Sequence, residues 1–256
     1  MIHPSAIVDP SAKLAANVEI GPWTIIGSNV EIGEGSCIAS HVVIKGPTRI
    51  GRNNHIFQFS TIGDATPDLK FQGEETRLVI GDGNTIREGV TIHRGTVQDR
   101  GETTIGNNNL FMAYVHIGHD NVIGNNCIFV NNAALAGHVH VGDWAQLSGY
   151  TLVHQFCEIG PYSFTAMGTA VGKDVPAYVM VTGNPAAAKS VNMVGLKRRG
   201  FSRDEQAIIY KAFKTIYRRG LTLEEAKEEL TVLVESYPVV GPLLASLQTS
   251  KRGIVR

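Results

Sequence analysis

An aliphatic side chain recurs at every sixth residue from the start of the chain: Ile2, Val8, Leu14, Ile20, Ile26, Ile32, Ile38, Ile44, Ile50, Ile56 and Ile62. The phase resumes at Ile80, Ile86 and Ile92. It then slips by one and runs through Ile105, Phe111, Ile117, Ile123, Phe129, Leu135, Val141, Leu147, Val153, Ile159, Thr165 and Val171. A period of six fits neither a helix nor a continuous strand; it fits a short strand followed by a corner. Hexapeptide repetition is a signature of the parallel β-helix. The aliphatic points inward, and the small or Val-like residue two places before it (Val18, Thr24, Val30, Ser36, Val42, Thr48, Val115, Cys127, Ala133) leaves room near the corner. Gly or Asn is expected at the positive-φ turn, with Asn53-Asn54, Asn107-Asn108 and Asn125-Asn126 suitably placed. Three hexads close one triangular coil of about 18 residues, with coils about 4.8 Å apart, which predicts roughly eight to nine coils. A sandwich or barrel would not hold one phase over so many consecutive hexads.

The repeat is interrupted twice, and solenoids carry function in such interruptions. From Ile62 to Ile80 the residues 64–77 are expected to replace about one coil with a polar excursion. From Ile92 to Ile105 a second loop is expected within 94–103. After about Pro185 the period becomes helical, which divides the chain into a β-helix over 1–185 and an α-helical domain over 186–256. Ser202-x-x-Glu205 and Thr222-x-x-Glu225 read as capping boxes opening two helices, the first stopping at Gly220 and the second before Pro238. A weaker third helix is expected around 243–247. This tail can cover the open end of the solenoid, whose strand edges would otherwise stay unpaired.

Composition narrows the functional classes. With 23 basic and 23 acidic side chains the chain lacks the basic surplus of a general nucleic-acid binder. Three cysteines, Cys37, Cys127 and Cys157, are too few and odd in number for a disulfide framework, and suit a reducing compartment. No secretory signal opens the sequence, and no apolar run is long enough to cross a bilayer. A cytoplasmic protein is expected.

The histidines point to a site. Five of the nine, His116, His119, His138, His140 and His154, fall between positions 116 and 154. The hexads of Ile117, Leu135 and Val153 are one coil apart, so they share a side of three successive coils. Gly137 should stack over His119, Gln155 over Gly137, and His138 over Asp120. An imidazole there suits acid/base work on a hydroxyl near neutral pH, a carboxylate can fix its tautomer, and a bare glycine N–H can meet an oxyanion. A three-histidine zinc site on the same scaffold, or a non-catalytic β-helix with solvated corners, are the alternatives. Neighbouring side chains on a strand diverge, so His119 and Asp120 pair only if a corner intervenes; otherwise Asp120 faces His138.

The repeats of residues 2–171 resemble the left-handed β-helix acyltransferases. Within them the chain is similar to the UDP-N-acetylglucosamine O-acyltransferases, which catalyse the first step of lipid A synthesis. The resemblance rests on Asp68-Leu69-Lys70-Phe71, Gly73-Glu74 and Thr76-Arg77; on Ile86-Arg87-Glu88 and Thr91-Ile92-His93-Arg94-Gly95-Thr96; and on His116-Ile117-Gly118-His119-Asp120 and Leu135-Ala136-Gly137-His138-Val139. Val153-His154-Gln155-Phe156 and Gly195-Leu196-Lys197-Arg198-Arg199-Gly200-Phe201 complete it. The related N-acyltransferases carry a separate domain ahead of the β-helix, whereas here the repeat starts at Ile2. The resemblance implies transfer of an (R)-3-hydroxyacyl chain from acyl carrier protein to the glucosamine 3-hydroxyl of UDP-N-acetylglucosamine, without a cofactor or metal, by a homotrimer with sites between subunits. It implies His119 as general base, Asp120 as its orienter and Gly137 as oxyanion donor. It further implies His116, His138, His154 and Gln155 as substrate contacts, Asp68 and Lys70 as holding the sugar nucleotide, and Asn192, Arg198 and Arg199 as nucleotide or carrier-protein contacts. Met167 lies on a different side of its own coil from His119, and in the family its position meets the far end of the acyl chain. Long-chain members carry glycine there, so methionine implies an acyl group of roughly ten carbons.

Overall fold

The computed structural model describes all 256 residues. Short strands, most of two residues, succeed one another in three sheets of nine, eight and ten strands; up to the last coil each strand pairs in parallel with the one three positions later in the chain. This is a left-handed parallel β-helix. The register is the hexad register: Ile117 pairs with Leu135, and Leu135 with Val153. From Ile20 to Val171 the repeating aliphatics are buried, and so are the small residues two places before them, Val18, Thr24, Val30, Ser36, Val42, Thr48, Val115, Cys127 and Ala133 among them. Thr165, the one polar residue in the series, is also buried, because its hydroxyl meets that of Thr151 at 2.7 Å and accepts from the Ser148 N–H.

The first excursion differs in size from the sequence expectation. Ile50 pairs directly with Ile80 and Ile56 with Ile86, so no coil is missing between them. The 64–77 excursion is therefore a loop inserted between two ordinary hexads rather than a replaced coil. The second lies between the strands Thr91–His93 and Glu102–Ile105, with Ile80 paired to Ile105 beneath it.

The corners also correct the expectation. Asn53, Asn108 and Asn126 take positive φ, but Asn54, Asn107 and Asn125 do not. Asn54 is instead buried, and its amide begins a ladder in which each Oδ1 accepts from the next coil: from Asn84 N–H, then Asn109, then Cys127. Most glycines that directly follow the aliphatic also avoid positive φ. They are glycine because a Cβ would strike the next coil, as at Gly21, where it would lie 2.7 Å from the Ala39 carbonyl carbon. Aromatic residues occupy many of the left-handed corners instead, including Trp23, Phe59, Tyr114, Tyr150, Phe156 and Tyr162. Strain of about 1–2 kcal/mol per corner is offset in part by ring stacking between coils, as in Trp23–His41–Phe59 and Tyr162–Tyr178.

The ten-stranded sheet runs past residue 185: Val179–Thr182 and Ala187–Val191 form its antiparallel end. Four α-helices follow, α1 (Met193–Arg198), α2 (Arg203–Arg218), α3 (Leu223–Ser236) and α4 (Gly241–Thr249). Both capping boxes form, at Ser202/Glu205 and Thr222/Glu225. The six-residue α1 was not apparent in the sequence; its N-cap is Asn192, which accepts from Gly195 N–H. The helices close the last coil. Ala177 N–H donates to Ser246 Oγ, the Tyr178 hydroxyl donates to the Val239 carbonyl, and Asp174 bridges to the final segment at Ile254. Solenoid and helices share one hydrophobic core.

Candidate active site

His116 lies on the strand His116–Ile117 of the nine-stranded sheet, and His119 and Asp120 form the corner that follows. Asp120 has φ +57°. That left-handed turn swings its side chain back beside its neighbour, and His119 Nδ1 lies 2.8 Å from Asp120 Oδ2. The structure thus resolves the pairing left open by the sequence: Asp120 serves His119, while His138 Nδ1 is 3.9 Å away.

Asp120 is fully buried, and burial alone would raise its pKa. Hydrogen bonds from His119, from the Thr96 hydroxyl at 2.6 Å and from the Thr96 N–H at 2.9 Å outweigh this and hold it below the ordinary carboxylate value. An ionised carboxylate only accepts, so His119 donates from Nδ1 and turns its Nε2 toward the cleft. Thr96 belongs to the second excursion, and nothing in the hexad period marked its role.

Gly137 stands one coil above His119. A Cβ there would lie 2.5 Å from His119 Nε2, so only glycine lets the imidazole keep its place. Its N–H has no acceptor within the chain. At the equivalent position of another corner such N–H groups are consumed: those of Arg52, Asp82, Asn107 and Asn125 donate to Asp82, Asn107, Asn125 and Asp143 of the following coil. The corner at His119 lacks that ladder, and a free donor remains beside the free imidazole nitrogen.

A cavity of about 270 Å³ opens over these groups, lined by Thr66, Pro67 and Asp68 of the first excursion together with His93, His116, His119 and Gly137. Asp68 Oδ2 is 3.9 Å from His119 Nε2. His93, which the sequence reading did not assign, packs edge-on against His116 at 5.2 Å between ring centres. Burial, reinforced by His116 and opposed by Asp64, pushes the His93 pKa down to about 4. Burial, with His119 nearby, also lowers His116, whose Nδ1 lies 2.8 Å from the Thr91 hydroxyl.

Other expected residues lie apart from this cavity. Lys70 is exposed on the first excursion, its N–H donating to Asp68 Oδ1. His154 and Gln155 are exposed one coil above Gly137. Asn192, Arg198 and Arg199 line a separate cavity of about 690 Å³ on the outer face of the ten-stranded sheet. There Asn192 spends its amide on the α1 cap and the Tyr162 carbonyl, and Arg199 lies 5.0 Å over the Trp144 ring. Met167 follows the strand Phe164–Thr165 of that same sheet and is 77% exposed. The single chain does not unite these groups with His119.

Residues 174–255 match the family model described as the second domain of UDP-N-acetylglucosamine O-acyltransferase, and 11–46 and 102–137 match the bacterial transferase hexapeptide model. The acyl-carrier-protein-dependent UDP-N-acetylglucosamine O-acyltransferase of Stutzerimonas stutzeri (strain A1501) is 66% identical over 256 residues, covering 100% of this chain and 99% of the relative. The chain belongs to the UDP-N-acetylglucosamine O-acyltransferase family. The protein of that name from Saccharophagus degradans is 70% identical over 255 residues, with 100% and 99% of the two chains covered. The crystal structure of the Moraxella catarrhalis UDP-N-acetylglucosamine O-acyltransferase superposes with a TM-score of 0.98 at 49% identity, covering 100% of this chain and 99% of that one.

Proposed function

We propose that the chain moves an (R)-3-hydroxyacyl group of about ten carbons from acyl carrier protein to the 3-hydroxyl of UDP-N-acetylglucosamine, the first step of lipid A synthesis. The observation that carries the mechanism is the placement of His119 Nε2 in the cleft, with Nδ1 on Asp120 and the free Gly137 N–H overhead. Nε2 takes the proton of the sugar hydroxyl as its oxygen attacks the thioester carbonyl. The Gly137 N–H donates to the resulting oxyanion, and Asp120 stabilises the imidazolium. Collapse breaks the C–S bond, and the imidazolium returns its proton to the departing phosphopantetheine sulfur.

Asp68 and Lys70 hold the sugar nucleotide in this reading, with His116, His138, His154 and Gln155 along the same cleft. Met167, Asn192, Arg198 and Arg199 reach a neighbouring subunit's His119 in a homotrimer, because their sheet is a different face of the solenoid. Facing copies unite the two surfaces. No helix is long and apolar enough to cross a membrane, and all three cysteines are free, in keeping with work in the cytoplasm.

Incubation with UDP-N-acetylglucosamine and (R)-3-hydroxydecanoyl acyl carrier protein should yield the 3-O-acylated sugar nucleotide and one free carrier thiol per turnover. Acylation elsewhere on the sugar, or none with any acyl carrier protein donor, would overturn the reading.

A further inference from the structure

The second excursion grips the corner at two points. Thr96 gives both its N–H and its hydroxyl to Asp120. Three residues on, after a tight turn in which Asp99 N–H and Gly101 N–H both donate to the Thr96 carbonyl, the Asp99 carboxylate lies 2.8 Å from His138 Nδ1. Asp120 and His138 are stacked residues of successive coils, so one loop turn spans the coil spacing and delivers a partner to each.

The surroundings of His138 are well defined. One face of its ring stacks on Phe156 at 4.3 Å, nearly parallel, and the ring meets that of His119 edge-on at 4.8 Å. The titratable groups facing it are Asp99 from the loop, Asp120 from its own corner stack and His119. Phe156 fixes the ring plane but leaves the ring free to flip within it. Only a hydrogen bond to one nitrogen distinguishes the two orientations. Asp99, accepting at Nδ1, fixes that choice and leaves Nε2 as the nitrogen without a carboxylate partner.

We propose that Asp99 is a positioning residue: its carboxylate, carried by the second excursion, sets the orientation and tautomer of His138 as Asp120 does for His119. The column then holds two carboxylate–imidazole pairs in adjacent coils, strapped by one loop. This inference rests on the acyltransfer reading above only for its kinetic readout.

The test is a double-mutant cycle of Asp99→Ala with His138→Ala, read as kcat/KM for acyl transfer, beside ring-nitrogen NMR of histidine-labelled protein. Asp99→Ala should lower kcat/KM by about tenfold, the size of one lost hydrogen bond to a charged group, while Asp99→Asn, which keeps an acceptor, should recover most of it. In the His138→Ala background the same Asp99→Ala change should alter kcat/KM by less than twofold. The His138 resonances should report a protonated Nδ1 in the parent and a mixture of tautomers in Asp99→Ala. Equal losses in both backgrounds, or an unchanged His138 tautomer in Asp99→Ala, would overturn the assignment. The NMR readout stands whether or not the parent shows acyl transfer, so failure of the functional reading and failure of this one are separately visible.

Discussion

Adding one methyl group at position 137 tests how closely the imidazole of His119 is fitted beneath the Gly137 backbone. A Cβ on Gly137 would sit 2.5 Å from His119 Cε1 and Nε2 and 3.0 Å from Nδ1, with no backbone atom among its nearest contacts. Carbon atoms pack at about 3.5–4.0 Å, so the ring must retreat by about 1 Å. The bond it would stretch is the 2.8 Å contact from His119 Nδ1 to Asp120, which then exceeds hydrogen-bonding range. A displacement of about 1 Å in a reacting group is enough to lower turnover about 100-fold, or about 2.7 kcal/mol in the barrier. Gly137 lies outside the positive-φ region, so alanine brings no backbone strain there. Gly137→Ala should therefore lose about 100-fold in kcat for acyl transfer and keep its thermal midpoint within a few degrees. Gly21→Ala is the converse control: its Cβ would strike the Ala39 backbone at 2.7 Å far from the site, lowering the midpoint while sparing kcat. A Gly137→Ala enzyme with kcat within threefold of the parent would show that this fit does not hold the imidazole in its working position.

Thr96→Val removes the 2.6 Å hydroxyl bond to the buried Asp120 but leaves the backbone N–H in place. It should reduce kcat roughly tenfold and destabilise the fold by about 1–3 kcal/mol, measured as a shift in the urea midpoint; an unchanged midpoint contradicts it. His93 is held near a pKa of about 4, chiefly by burial, so the unfolded chain binds its proton more readily. Stability should be level above pH 6.5 and fall by about 2 kcal/mol, after solvent screening, between pH 6.5 and 4. His116 shifts in the same direction, and His93→Gln should flatten part of the slope seen in urea titrations at each pH. Met167→Gly should move donor preference from ten-carbon toward fourteen-carbon acyl chains, read from kcat/KM on the two carrier-protein donors; an unchanged ratio counts against Met167 as the limit of the acyl site.

The solenoid was legible because its inward positions are apolar at all but Thr165, and a local period survives translation into three dimensions. Loop size was not legible from phase alone. The interval from Ile62 to Ile80 is a whole number of hexads, which cannot distinguish a lost coil from an inserted loop; only the pairing of Ile50 with Ile80 does. The aromatic corners were equally hidden, since intrinsic preference favours Gly and Asn at positive φ, and the rings that offset the strain come from neighbouring coils. Within the site, spacing sufficed to bring Gly137 over His119 and His138 over Asp120. The pairing of His119 with Asp120 needed the corner dihedral, and the contributions of Thr96 and Asp99 needed the path of an aperiodic loop.

In the proposed mechanism His119 removes the proton from the acceptor hydroxyl. Steady-state turnover of His119→Ala on UDP-N-acetylglucosamine and (R)-3-hydroxydecanoyl acyl carrier protein tests it most directly, with a thermal melt beside it because the buried Asp120 loses a hydrogen bond. Loss of a general base predicts a kcat lower by about 10²–10⁴, with KM for the sugar nucleotide changed only a few-fold. A variant that retains kcat within tenfold of the parent would contradict the mechanism, whatever the other residues of the column do.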